Sequence, residues 1–305
     1  MQGLLKTNIH RLLFRKLLDS LRRYREYSEI QCNQSIQDPS TRSSVFQVLL
    51  DAETSKNNKQ SLFRPEELAS ESSLLIIAGS DTTSTCLAAT LFYLLHYPDC
   101  LQRAQKEIRD IFPTLDDVRR GRNLQDCRYL RACIDESLRM SPPVGGLMAR
   151  ETLNGGMVVD GEIFPAGIEL GTPHYALHHN QHYYPRPFQY DPGRWLVNGD
   201  QTDAGPSSPP NDKHSVAMAE SAFCAFSIGP RNCIGKSFAY HELMTVLTRL
   251  LWQFDMRLQV GNTLGEGSNA LGAERDKEGE YQLYDTFSSK SEGPMIEFRE
   301  RRSTN

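Results

Sequence analysis

The chain has 305 residues, 39% of them hydrophobic and 24% charged, with 21 Gly and 16 Pro. This is ordinary globular composition, too long for a small disulfide scaffold and far from collagenous, coiled-coil or disordered extremes. With 34 Lys and Arg against 38 Asp and Glu the formal charge is −4, which offers no global attraction for a polyanion, so nucleic acid is not an expected partner.

In chain order, residues 2–27 carry Leu at helical intervals with Lys6, Arg11, Arg15, Lys16, Arg22, Arg23 and Arg25 against only Asp19. That pattern fits an amphipathic surface helix or an organelle presequence. Residues 65–97 have Pro65 at the start, Glu66 and Glu67 in the first turn and Pro98 as a stop, which predicts one helix of ~50 Å. Further helices are predicted at 99–112, 127–140 and 236–253, and short Gly- and Pro-punctuated strands within 155–175. Residues 198–215 and 261–280 read as surface loops, with no internal repeat. The fold class is therefore mainly α with a small β-sheet. No uninterrupted apolar run is long enough to span a bilayer, because the best candidate, 74–97, contains Asp81 and a cluster of Ser and Thr, so no membrane anchor is expected in this chain. Seven cysteines with no Cys-x-x-Cys pair and no secretory leader suggest reduced thiols in an intracellular setting.

Two segments carry chemistry. The centre of the long helix reads Ala78-Gly79-Ser80-Asp81-Thr82-Thr83-Ser84-Thr85. Hydroxyls at Thr82 and Thr83 can compete for backbone carbonyls and open the helix into a groove, where an acid beside a hydroxyl would relay protons; a kink with an exposed Asp is the plainer alternative. Residues 226–235 read Phe226-Ser227-Ile228-Gly229-Pro230-Arg231-Asn232-Cys233-Ile234-Gly235, just before the helix beginning at Lys236. A thiol there meets the helix dipole and unpaired amides, with Arg231 adding positive charge, which favours the anionic form. Gly229 and Gly235 permit close approach of a flat ligand, Phe226 can shield the sulfur, and Arg231 can pair with a carboxylate. A buried structural cysteine or a zinc ligand are the alternatives. Zinc is short of partners, since Cys224 lies nine residues away and His178, His179 and His182 lack finger spacing.

This loop resembles the Phe-x-x-Gly-x-Arg-x-Cys-x-Gly signature of the haem-thiolate monooxygenases, the cytochrome P-450 superfamily, at every fixed position. Residues 78–83 resemble that family's oxygen-activation helix, Glu136-Ser137-Leu138-Arg139 its Glu-x-x-Arg motif, and Pro192-Gly193-Arg194-Trp195 its later Arg-containing motif, with Gly193 where the family usually has Glu. The resemblance runs from about residue 60 to the strand near 295–299, and more weakly before it. It implies the C-terminal, haem-binding part of that fold as a single incomplete domain over 1–305, with the N-terminal portion and its anchor absent. Cys233 would ligate the iron of haem b (iron protoporphyrin IX), with Arg150, Phe226, Gly229, Arg231 and Gly235 around the cofactor. Asp81 and Thr82 would deliver protons, and Glu136, Arg139 and Arg194 would form a structural triad.

The activity so implied is oxidation of a small apolar molecule by O2, in secondary metabolism or detoxification. Electrons would come from a separate reductase, which draws on NADPH. Val144 to Met148, with Ala78 and Thr82, would line the substrate pocket. Full-length relatives of this kind commonly sit on the endoplasmic-reticulum membrane. A truncated, non-catalytic haem-binding or interaction remnant is the alternative function. Isomerisation or dehydration of an oxygenated substrate by the same thiolate haem is disfavoured, because it would not need Asp81 and Thr82.

Overall fold

The computed structural model describes residues 15–37, 64–119, 121–197 and 212–301. It comprises two compact units, Met1–Ser80 and Asp81–Asn305. Helix α1 (Arg15–Gln37) belongs to the first. It runs ten residues past the end expected from the leucine pattern, because no Gly or Pro interrupts the polar helix formers before Pro39. The question of a presequence rests partly on residues 1–14, which lie outside the described residues. Within this unit the Tyr24 hydroxyl donates to the Ser73 carbonyl, and Leu68 and Ser72 are buried.

Helix α2 (Pro65–His96) begins at the predicted proline. Its start is held by Glu67, which accepts from the Arg64 amide at 2.8 Å and pairs with the Arg64 guanidinium at 2.9 Å. By length and composition Glu67–His96 is apolar enough to cross a membrane, although Asp81 interrupts its apolar run. The C-terminal half of the helix nevertheless sits in protein core, with Ala89, Phe92, Tyr93 and Leu94 fully buried. Of the apolar surface flanking the polar centre, Leu74 and Ile77 are exposed while Leu91 to Leu94 are covered.

The second unit is built on α2, α3 (Pro98–Ile111), α5 (Arg128–Met140) and a late helix, α8 (Lys236–Gln253), with the short α4 (Arg122–Asp126) between α3 and α5. Their apolar faces meet in one core that includes Phe92, Ile108, Leu130, Ile134, Met140, Leu243, Leu247 and Leu251. Each such side chain contributes about 1.5–3 kcal/mol on leaving water. Helix α5 has no capping side chain at Cys127. Instead Glu107 of α3 accepts from the amides of Tyr129 and Leu130 at 2.7 and 2.9 Å, so a carboxylate from a neighbouring helix closes the positive end of the dipole. At the other end of α5 three buried groups form a closed ring. The Tyr93 hydroxyl donates to Ser141 Oγ (2.6 Å), Ser141 Oγ to the Tyr281 carbonyl (3.1 Å), and the Tyr281 amide to the Tyr93 hydroxyl (3.2 Å).

The expected small sheet is four separate antiparallel pairs. Strands β1 (Arg150–Glu151) and β4 (Glu169–Leu170) flank the hairpin of β2 (Met157–Val159) and β3 (Glu162–Phe164). Strand β5 (Phe254–Leu258) follows α8 and pairs with β8 (Ile296–Glu300) in the register Phe254↔Glu300. The hairpin of β6 (Leu283–Tyr284) and β7 (Lys290–Ser291) precedes β8. Two short helices complete the chain, α6 (His174–His178) and α7 (Lys213–Ser221). Helix α7 occupies the end of the predicted 198–215 loop, because Asp212 caps it by accepting from the Ser215 amide at 2.8 Å; residues 198–211 lie outside the described residues. The 261–280 segment is irregular but tied down. His96 meets Glu266 at 3.1 Å, the Ser268 amide donates to the Arg275 carbonyl, and the segment ends at buried Glu280.

Leu247 is fully buried on α8. Leu247→Ala is expected to lower unfolding free energy by about 2–5 kcal/mol, read from the midpoint of a urea transition followed by circular dichroism.

Candidate functional site

The centre of the second unit is a buried ion cluster. Glu136 and Arg139 lie one helical turn apart on α5, so their side chains share a face. Arg139 Nε and Nη2 each donate to the Glu136 carboxylate at 2.9 Å, and both side chains are fully buried. The turn Pro192–Trp195 delivers Arg194, whose Nε reaches Glu136 Oε1 at 3.4 Å while its Nη1 donates to the Pro185 carbonyl at 3.0 Å. The Asp191 amide (3.0 Å) and the Trp195 indole N–H (3.0 Å) complete the ring of donors on that carboxylate. Burial alone pushes the Glu136 carboxyl up, but the two guanidinium charges outweigh it and hold the group below the ordinary carboxylate value. At Gly193 the structure has a tight turn. The Gly193 amide donates to Asp191 Oδ1 at 3.0 Å, and a Cβ there would lie 2.9 Å from the same oxygen.

The cysteine loop follows α7. A 3-10 turn at Gly229–Arg231 leads to Cys233, two residues before Gly235 caps α8. Gly229 adopts φ +76 with open space where a Cβ would stand. The Cys233 amide donates to the Phe226 carbonyl at 2.8 Å, closing the loop, and the Ser227 amide donates to the Cys224 carbonyl at 2.7 Å. The Phe226 ring packs on Tyr240 of α8 at 4.9 Å; the Tyr240 hydroxyl donates to Asp135 Oδ1 at 2.6 Å, with Arg131 stacked over the Tyr240 ring.

Cys233 itself is exposed, and so are the large apolar side chains beside it: Ile228 at 76%, Ile234 at 96% and Phe238 at 63%. Exposed apolar groups around a thiol at a helix N-terminus are what a flat apolar ligand bonded to sulfur would cover. Arg231 stands exposed two residues from the thiol. These residues fit haem. The zinc alternative finds no support, since no group of three or more His, Cys, Asp or Glu with metal-holding geometry occurs among the described residues.

On α2, helical hydrogen bonding continues through the polar centre, so Thr82 and Thr83 do not break it. Hydroxyls along the helix bond its carbonyls without opening it: Ser80 Oγ donates to the Ile76 carbonyl at 2.7 Å, Ser84 Oγ to the Asp81 carbonyl at 3.1 Å and Thr90 Oγ1 to the Cys86 carbonyl at 2.8 Å. Asp81 is exposed, Thr82 half-buried and Thr83 buried. The turn between β6 and β7 lies against this stretch. Ser288 Oγ donates to Asp81 Oδ2 at 3.5 Å, Thr85 Oγ1 to the Ser289 carbonyl at 3.3 Å, and the Ser289 amide to the Pro143 carbonyl at 2.7 Å. Arg150 is exposed at the start of β1 with its Nη1 turned back on the carbonyls of Met148 and Ala149.

Sequence reasoning missed Trp195, Ser288, Ser289, Tyr240 and His178. Trp195 adjoins a residue already singled out, and that adjacency was a usable signal. His178 enters the sequence reading only among the histidines that lack finger spacing. It ends α6 fully buried, its carbonyl accepting from Arg139 Nη1 at 2.9 Å and its Nε2 from the Cys224 amide at 3.0 Å.

The family model for cytochrome P450 matches residues 6–268. A cytochrome P450 monooxygenase, AKT7, of Alternaria alternata is 41% identical over 297 residues, covering 95% of this chain and 55% of its own length. A cytochrome P450 monooxygenase of Gibberella zeae is 43% identical over 265 residues, covering 86% of this chain and 57% of its own. The monooxygenase lcsN of Purpureocillium lilacinum is 35% identical over 262 residues, covering 86% of this chain and 72% of its own. The chain belongs to the cytochrome P450 family, whose members bind haem. It spans about half the length of the first two of these relatives.

Glu136→Gln leaves two buried guanidinium groups short of their counter-charge, and a loss of about 3–5 kcal/mol is expected. Because the folded carboxyl titrates below its ordinary value of 4.5, its stabilisation is complete above that pH and disappears as pH falls through the folded value. Melting temperature measured against pH should therefore separate wild type from Glu136→Gln above pH 4.5, with the gap narrowing in stronger acid.

Proposed function

We propose that this chain forms the haem-binding part of a haem-thiolate monooxygenase that oxidises a small apolar molecule with O2, using electrons from a separate reductase for which NADPH is the indirect source. The observation that carries this reading is the exposed Cys233 thiol at the N-terminus of α8, held by the bond between its amide and the Phe226 carbonyl and surrounded by Ile228, Ile234 and Phe238. The monooxygenase names of the relatives support it.

Haem held by a thiolate activates dioxygen in a way that favours O–O cleavage. The chain's own residues do the rest. Cys233, at the N-terminus of α8, would supply the sulfur that holds the iron. Phe226, packed on Tyr240, would shield the sulfur. Gly229 and Gly235 would leave room for a flat cofactor. Arg231 and Arg150 are the guanidinium groups for the propionates, a bidentate and permanently charged match for carboxylates. Arg150 gives up only backbone contacts with its two preceding residues to do so. Asp81, exposed and steadied by Ser288, passes protons from solvent to the Thr82 hydroxyl, which holds a proton toward the oxygen side of the site. The cluster of Glu136, Arg139 and Arg194 fixes the scaffold behind the loop and takes no part in the chemistry.

The purified chain loaded with haem, reduced and exposed to carbon monoxide, is expected to show the Soret band of a thiolate-ligated carbonyl complex. Cys233→Ala should abolish that band; its persistence would remove Cys233 as ligand, and its absence from intact wild-type protein would favour a non-catalytic haem or interaction role. For the proton path, Thr82→Ala should raise peroxide released per electron consumed, and unchanged coupling would take Thr82 out of the mechanism.

A further inference from the structure

His178 sits between the buried ion cluster and the cysteine loop and touches both. Its carbonyl accepts from Arg139 Nη1 at 2.9 Å. Its ring stacks on Phe223 with centroids 5.4 Å apart and planes 14° from parallel. Phe223 packs edge-on against Trp195 at 4.9 Å, and Trp195 donates to Glu136. The contacts therefore close on themselves, from Glu136 through Arg139, His178, Phe223 and Trp195 back to Glu136. From this ring His178 reaches the cysteine loop: the Cys224 backbone N–H donates to His178 Nε2 at 3.0 Å, and the Cys224 Sγ lies 3.5 Å from the same nitrogen. Cys224 opens the loop whose turn, from the Cys224 carbonyl to the Ser227 amide and from the Phe226 carbonyl to the Cys233 amide, ends at the thiol.

The chemistry of imidazole fixes the protonation state. A backbone amide can only donate, so Nε2 must present its lone pair, and the ring proton must sit on Nδ1. Nδ1 is buried and has no hydrogen-bond partner among the described residues. Leaving a donor buried and unpaired is unfavourable, so the local arrangement is set by what Nε2 does and not by satisfaction of the ring as a whole. Burial, followed by the nearby Arg139 charge, pushes the His178 pKa down to about 3, which agrees with a neutral ring.

We propose that His178 is a positioning residue for the haem-ligating loop: a neutral imidazole protonated at Nδ1 that accepts the Cys224 amide and so transmits the fixed geometry of the ion cluster to Cys233. The proposal rests on the reading of Cys233 as the iron ligand. Outer-shell groups of this kind orient a ligand without touching the metal, and losing one costs about 10-fold or more in affinity for the metal group.

The test uses the full chain loaded with haem. In the diamagnetic ferrous carbonyl form, nitrogen NMR of 15N-histidine-labelled protein should show the His178 signals, identified by their loss in His178→Gln, as a neutral ring with the proton on Nδ1. A proton on Nε2, or a doubly protonated ring, at neutral pH overturns the proposal, and this measurement needs no destabilised variant. In parallel, His178→Leu should weaken haem binding about 10-fold and shift the carbonyl complex away from the thiolate band. His178→Gln, whose Oε1 reaches the place of Nε2, should restore both. A folded Leu variant with wild-type affinity and spectrum, or a folded Gln variant no better than Leu, overturns the proposal. Persistence of the thiolate band in Cys233→Ala would instead defeat the reading of the ligand, so the two failures are distinguishable.

Discussion

A carboxylate and two guanidinium groups placed out of water set the terms for the rest of the second unit. Desolvation of Glu136 is the largest single influence on its titration, and only the combined pull of Arg139 and Arg194 reverses it. Five donors converge on its two oxygens, from α5, from the Asp191 amide and from the turn that carries Arg194 and Trp195. In a low-dielectric interior none of these can move by an ångström without exposing an uncompensated charge, so two segments far apart in sequence, α5 and residues 191–195, are held in one geometry. Such a cluster contributes little to net stability compared with an apolar core of the same volume. What it supplies is position, and α6 is positioned by it directly, through the His178 carbonyl.

The cysteine loop is ordered from two sides by this scaffold. On one side the Cys224 amide is held at His178; on the other Phe226 rests on Tyr240, whose hydroxyl ends on Asp135, the residue preceding Glu136. Helix α5 therefore addresses the loop twice, through adjacent acidic residues on different faces. The loop is closed by its own backbone bonds, from the Ser227 amide to the Cys224 carbonyl and from the Cys233 amide to the Phe226 carbonyl. The apolar residues around the thiol stay on the surface, while His178 and Tyr240, which hold the loop, are buried.

How much of this was legible in the chain differs by kind of feature. The boundaries of α2, α5 and α8 follow from prolines, first-turn acids and apolar spacing, all local properties, and the helices lie within a residue or so of those signals. The triad members could be picked out by resemblance and by three-residue spacing. His178 could not, because nothing in a run of histidines separates the one that ends a buried helix from its neighbours until the 178–224 contact exists. The end of α1 was missed because the leucine pattern stopped before the helix did, and propensity without a breaker carried it on. The capping of α5 by Glu107 was equally invisible, since it is a contact between helices and not a motif.

The polar centre of α2 shows the same division between local and distant causes. Read locally, a run of Ser and Thr should loosen a helix by turning hydroxyls onto its carbonyls. Ser84 and Thr90 do this without interrupting the helix, while Thr85 spends its hydroxyl on the Ser289 carbonyl. Ser289 in turn donates to Pro143 in the stretch just after α5. The turn between β6 and β7 thus bridges the long helix and the segment following α5, and it is this turn, through Ser288, that meets Asp81. A carboxylate on an uninterrupted helix face is aimed by whatever packs against it, so the placement of Asp81 is a property of the C-terminal hairpin as much as of α2. The hydroxyl-rich composition then has a plain physical role: it lets a polar backbone turn dock on a helix that further on is entirely core, at Phe92 to Leu94, without burying carbonyls that lack partners.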